Sequence, residues 1–165
     1  MKILWNPWRY EYVKKASKNG GECLFCELQK KRDDEAYIVY RGKRGFVVLN
    51  AYPYNSGHVM IAPYQHVGSL EELDDETLLE LGKLVQLTIK ALRKAYSPDG
   101  FNIGVNIGKA AGAGVPGHVH IHVVPRWVGD TNFMAIIAET KPLPTALKES
   151  FDLITVAFRE VLGGK

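Results

Sequence analysis

The sequence predicts an α+β fold, a mainly antiparallel sheet of about five strands with one long central helix and a C-terminal helix. Three observations lead there. Two short β-rich runs, Tyr37–Tyr40 and Phe46–Leu49, are joined by a glycine-containing connection and read as a hairpin. One long stretch, with Leu78, Leu81, Val85, Ile89 and Leu92, repeats at helical spacing. Two further strand-like runs, 101–107 and 118–124, follow it with only a loop between them, so most strand connections are too short for parallel crossovers.

Each element has its own local justification. Arg41–Gly45 connects the hairpin strands, and Asn50–Gly57, with Pro53, Asn55, Ser56 and Gly57, is a loop. His58–Ile61 reads as a third strand, stopped by Pro63. Asp74 caps the long helix, Leu73 and Leu78 flank that cap as a hydrophobic staple, and Asp75 and Glu76 suit the positive end of the helix dipole. Ser97-Pro98-Asp99-Gly100 is a turn. Phe101, Ile103, Val105 and Ile107 then alternate with Asn102, Gly104 and Asn106 as a half-buried strand. A glycine-rich loop, Gly108–Gly117, leads into a strand over His118–Val124. Leu147, Phe151, Ile154, Phe158 and Val161 share one face of the last helix. No repeat, low-complexity tract or linker divides the chain, which reads as one domain over 1–165: an aromatic arm (1–21), a core (22–135) and a C-terminal extension (136–165).

The 165 residues suffice to bury a core, and the composition (46% apolar, 24% charged) suits a folded, soluble chain. A net charge of +3 accommodates small anionic ligands but is too weak for a nucleic-acid binder. The basic clusters at Lys14-Lys15, Lys30–Arg32 and Arg41–Arg44 are interrupted by acidic neighbours and read as solvated faces. No run is long and apolar enough to span a membrane, and the N-terminus lacks a secretory core. Two cysteines three positions apart do not staple a secreted scaffold, so a cytoplasmic location is expected. Trp5, Trp8 and Trp127 read as core or interface anchors, with stacking on a nucleotide base as the alternative.

Of five histidines, three fall at His118, His120 and His122. On a strand these share one face, with Val119, Ile121 and Val123 turned to the core. Three readings compete: a polar outer strand, a zinc site, and nucleophilic catalysis by an imidazole that is largely neutral near pH 7. The adjoining glycine loop favours catalysis, because its backbone can approach a ligand and offer N–H groups to phosphate oxygens. Cys23-Leu24-Phe25-Cys26 has metal-ligand spacing, but redox-active and plain buried cysteines share it. Arg126 is placed either to pair with phosphate or to hold Asp130.

The run His118-Val119-His120-Ile121-His122-Val123-Val124, followed by Pro125-Arg126, resembles the signature of the histidine-triad superfamily, His-φ-His-φ-His-φ-φ with φ apolar. Asn50, His58 and Asn106 resemble positions of its fragile-histidine-triad branch, and Arg126–Phe133 resembles the subset acting on diadenosine polyphosphates. That resemblance, over residues 22–135, implies cleavage at the α-phosphate of a dinucleoside polyphosphate through a covalent nucleotidyl-histidine, with water or inorganic phosphate as acceptor. A nucleoside phosphoramidate hydrolase, or a nucleotide-binding module without turnover, are the alternatives. It implies His120 as nucleophile, His122 as its phosphate-facing partner, and His58 as support. Asn50 would face the nucleoside, and Asn106, Gly112 and Gly114 the phosphates. Some relatives, including the galactose-1-phosphate uridylyltransferase branch, carry a structural zinc, which maps here to Cys23, Cys26, His66 and His118. Homodimers are common in the superfamily. One departure stands out: Val115 occupies the place, three before the first triad histidine, where relatives often carry a hydroxyl.

Overall fold

The computed structural model describes residues 22–130 and 145–163. The aromatic arm, with Trp5 and Trp8, and residues 131–144 therefore lie outside the described residues. Two short helical turns, α1 (Leu24–Leu28) and α2 (Asp33–Ala36), precede five strands: β1 (Ile38–Arg41), β2 (Gly45–Leu49), β3 (Val59–Pro63), β4 (Gly100–Val105) and β5 (Ile121–Arg126). The long helix α3 (Asp75–Tyr96) connects β3 to β4, and α4 (Leu147–Gly163) ends the description. The strands form one sheet in the order β1-β2-β3-β5-β4, and every pairing is antiparallel. The expected α+β fold is thus what the chain adopts.

Alternation along the central strands divides the interior into two layers. Val47, Leu49, Val59, Ile61 and Val123 face α3 and α4, where Leu81, Leu84, Leu92, Ile154 and Phe158 complete the main core. Phe46, Val48, Met60 and Ala62 face the other way, onto Phe25 of α1 and Ala36 of α2. All five residues of β2 and of β3 are buried, which fits their central place and their nearly continuous apolar character. The cap of α3 forms as its sequence suggests: the Asp74 carboxylate accepts the Thr77 N–H at 2.7 Å. Pro63, which lacks an N–H, is the last residue of β3.

Two strand expectations are corrected. The strand expected from His118 begins only at Ile121, because His118 and Val119 bond outside the ladder, to Val115 and Val67. The strand expected over 101–107 ends at Val105, and Ile103 and Ile107 are exposed. Strand β4 lies at the sheet edge; its Phe101 packs on the main core under Arg93, but α3 packs mainly on β2, β3 and β5, and Ile103 stays exposed.

Candidate active site

The three histidines do not act as one row. His118 and His120 are both buried, and they precede the regular strand, whereas His122 sits within β5 opposite Met60 and Gly104. The hydrogen bonds of each ring fix its tautomer. His120 Nδ1 lies 2.9 Å from the main-chain oxygen of His118, which only accepts, so Nδ1 carries the proton and Nε2 keeps its lone pair. His118 Nε2 lies 2.9 Å from the Pro63 carbonyl oxygen, so that proton sits on Nε2 and Nδ1 bears the lone pair.

His122 is reached by a second ring, that of His58, which comes from the β2–β3 loop. The Tyr54 N–H donates to His58 Nδ1 at 3.1 Å, so the His58 proton is on Nε2, 3.0 Å from His122 Nδ1. His122 therefore accepts at Nδ1 and carries its own proton on Nε2. Burial, then His122 and His120, push the His58 pKa down to about 3, which keeps this ring neutral at working pH. Burial also holds His120 below the usual histidine range, partly offset by its bond to the His118 carbonyl. A neutral His120 with an open Nε2 has the form a nucleophile requires.

His120 and His122 line a cavity of about 390 Å³, within the usual size of a small-molecule site. Asn50, Asn106, Gly112 and Gly114 line the same cavity, so every residue assigned to substrate converges there. Gly112 adopts φ +84°, open to glycine without strain, where the loop turns toward the cavity. Asn50 accepts the Tyr52 N–H on Oδ1 at 2.9 Å, which turns its amide nitrogen toward His58 Nδ1 at 3.4 Å. His58 is fully buried and does not line the cavity; it reaches the site through His122. Val115 does line it, so an apolar side chain stands where relatives often place a hydroxyl.

Several cavity residues were not singled out from the sequence. Leu24, Phe25 and Leu28 of α1, with Tyr37, Leu49 and Met60, give the cavity an apolar wall suited to a base. Tyr54 places its ring 4.7 Å from that of His58 and 6.0 Å from that of His122. Phe25 carried one signal: it lies between two cysteines, so a metal holding both would bring it beside His118. Arg126 pairs with both Asp130 oxygens at 2.6 and 2.7 Å and with Asn102 at 2.6 Å, which settles its two readings in favour of holding the loop. Trp127 packs edge-on against Tyr96, as an anchor.

Cys23, Cys26, His66 and His118 converge so that their ligand atoms all lie within 4.8 Å of one another. His118 Nδ1 is 3.3 Å from Cys23 Sγ, 3.7 Å from Cys26 Sγ and 3.3 Å from His66 Nδ1, and Cys26 Sγ is 3.4 Å from His66 Nδ1. Ordinary zinc bond lengths in a tetrahedron give edges of about 3.3 Å between nitrogens and about 3.6 Å between sulfur and nitrogen. The cluster matches those edges, and the His118–Pro63 bond orients the ligand ring as zinc-binding histidines require. The residues fit the metal.

The HIT domain family pattern matches residues 31–128. The chain is 40% identical over 158 residues to the AP-4-A phosphorylase of Mycobacterium tuberculosis, covering 92% of this chain and 81% of that protein. Among solved structures, it resembles a Zn-bound histidine triad family protein from Mycobacterium smegmatis, with TM-score 0.72 and 27% identity over 87% of this chain and 98% of the other. A histidine triad nucleotide-binding protein from Sulfolobus tokodaii, described as hypothetical, aligns with TM-score 0.67 and 32% identity, covering 86% of this chain and 93% of that one. The sequence pattern, the sheet that carries it and the overall similarity agree: the chain belongs to the HIT domain family.

Proposed function

We propose that the protein is an enzyme cleaving dinucleoside polyphosphates, with diadenosine tetraphosphate as the leading candidate, through a covalent nucleotidyl-His120. The observation that carries this reading is the pair of tautomers facing one cavity: a lone pair on His120 Nε2 beside a proton on His122 Nε2. His120 Nε2 attacks the α-phosphorus, a P–N bond forms, and the bond from that phosphorus to the bridging oxygen breaks. The His122 Nε2–H donates a hydrogen bond to the leaving oxygen, and ATP departs as the anion, keeping the electron pair of the broken P–O bond. The His120 ring is then cationic, and its Nδ1–H stays bonded to the His118 carbonyl, which stabilises that charge. Phosphate or water attacks the α-phosphorus in turn, the P–N bond breaks with its electron pair returning to His120 Nε2, and ADP or AMP departs; the proton of an attacking water goes to solvent, and His120 is neutral again. In the glycine loop the Gly112 and Ala113 N–H groups bond to Lys109 and Gly108, so the N–H groups of Gly114 and Val115, with the Asn106 amide, are the donors assigned to the phosphoryl oxygens; Gly112 and Gly114 leave room for them, and Asn50 faces the nucleoside.

Likeness to a protein named AP-4-A phosphorylase favours phosphate as the acceptor. Cys23, Cys26, His66 and His118 are assigned as ligands of a structural zinc, supported by the cluster geometry and by the zinc-bound relative. With four protein ligands the site is closed, so the metal braces the fold and takes no part in the displacement. A homodimer is proposed on resemblance; the exposed Ile103 on edge strand β4 and Leu78 and Leu79 on α3 are apolar groups such an interface would cover. No helix among the described residues is long and apolar enough to cross a membrane.

The test is product analysis on diadenosine tetraphosphate with and without phosphate, for wild type and His120→Ala. ATP plus ADP appearing only with phosphate supports phosphorolysis, and ATP plus AMP supports hydrolysis. His120→Ala is expected to abolish either. Turnover by His120→Ala at the wild-type rate removes His120 as the nucleophile.

A further inference from the structure

Phe25 is the fully buried third residue of the Cys-x-x-Cys segment, so the two cysteines that flank it belong to the metal cluster. Its ring centroid lies 4.7 Å from that of His120 and 5.1 Å from that of His118. The same ring forms part of the cavity wall, between Leu24 and Leu28 of the same helical turn. A five-residue turn has little stability of its own in isolation, so α1 keeps its place through its anchors. Those anchors include the burial of Phe25 and the cluster formed by its flanking cysteines, beside the Arg41 bond to the carbonyl of Gln29 at the end of the turn. His120 is otherwise tied, among its described hydrogen bonds, by the single Nδ1 bond to the His118 carbonyl. One hydrogen bond restrains this ring at Nδ1 alone and does not by itself fix both χ1 and χ2; the rings packed on it, Phe25 and, edge-on at 4.8 Å, His122, restrict what remains.

We infer that Phe25 is a positioning residue that holds the His120 ring for attack, and that a metal at Cys23, Cys26, His66 and His118 fixes Phe25 in that place. The metal site then acts on the nucleotide cavity from outside it, without touching substrate. The Phe25 contact is independent of the second connection, through the His118 main chain. This role presupposes His120 as the nucleophile. The two readings fail differently: the first fails if His120→Ala retains turnover, and the positioning role fails while His120→Ala is inactive.

Phe46 provides the control. It lies in the same core layer, is fully buried, sits 6.5 Å from Phe25, and does not line the cavity. Phe25→Leu and Phe46→Leu remove the same ring from the same layer. Each variant is measured for zinc content, for AMP affinity, and for the single-turnover rate of nucleotidyl-enzyme formation from diadenosine tetraphosphate. The expectation is retained zinc in both, with the Phe25→Leu rate falling at least about tenfold and AMP affinity within about threefold of wild type. Phe46→Leu should change neither. The second arm records the imidazole ¹⁵N signals of His120 in protein holding zinc and in protein exchanged with the larger cadmium ion. Cadmium should move those signals more in wild type than in Phe25→Leu. Equal single-turnover rates in the two leucine variants, or equal cadmium responses with and without Phe25, overturn the inference. If Phe25→Leu does not fold, Phe25→Met, closer in volume, takes its place under the same criteria.

Discussion

Lowering the pH from 7 to 5 puts a proton on His58 in the unfolded chain but not in the folded one. The unfolded ring titrates near 6.5, whereas burial and the adjacent His122 and His120 hold the folded ring at about 3. Below pH 6.5 the unfolded state therefore binds the extra proton, and stability falls as pH falls until the folded ring titrates near 3. From these values the loss between pH 7 and pH 5 is about 2 kcal/mol for this residue alone. His118 and His120 are also held low by burial and tilt the balance the same way, so wild type alone does not isolate His58. His58→Asn removes the titration while leaving both of those rings in place. Urea unfolding of each protein at pH 7 and pH 5 gives the difference directly. Wild type should lose about 2 kcal/mol more than His58→Asn across that interval. Equal losses in the two proteins, or a larger loss in the variant, would refute the picture of a buried, neutral His58 and with it the tautomer assigned to His122.

Two further substitutions test how the site is held. Gly57 adopts φ +74°, and a Cβ there would lie 2.8 Å from the Tyr96 ring. Gly57→Ala, next to His58, should therefore cost roughly 2 kcal/mol or more by thermal or urea unfolding; a neutral effect would contradict the close packing of loop against helix. Asp130 takes bonds from Arg126, from Asn55 Nδ2 at 2.8 Å and from the Trp127 N–H at 3.2 Å. Asp130→Ala should cost about 2 kcal/mol in the same assay and leave zinc content unchanged; loss of zinc would mean that this network supports the metal site as well.

Much of the molecule was legible in the chain because its signals are local. The helical repeat through Leu81 and Leu92, the Asp74 cap and the glycine-marked turns all operate within a few residues, and the elements form close to where they point. The triad signature likewise travels as one short run. Failures came where neighbours decide. Ile103 alternates as a buried strand residue would, yet it is exposed because its strand lies at an edge beyond the main reach of α3. His118 continues the alternation of β5, yet it leaves the ladder to face Cys23, 95 positions away in sequence.

The sequence by itself determined the α+β class, the order of most elements, the family and the residues worth testing. Periodicity, capping and a contiguous motif are properties of neighbouring residues, so they survive in one dimension. Only the tertiary structure decided which nitrogen carries the proton in His58, His118, His120 and His122. That choice depends on a carbonyl from His118, another from Pro63 and an N–H from Tyr54. Folding also decided the cavity wall, assembled from α1, the β2–β3 loop and the glycine loop, and the cluster that joins Cys23, Cys26, His66 and His118. Hydrogen-bond direction and ligand geometry depend on distance in space, and chain spacing alone does not specify it.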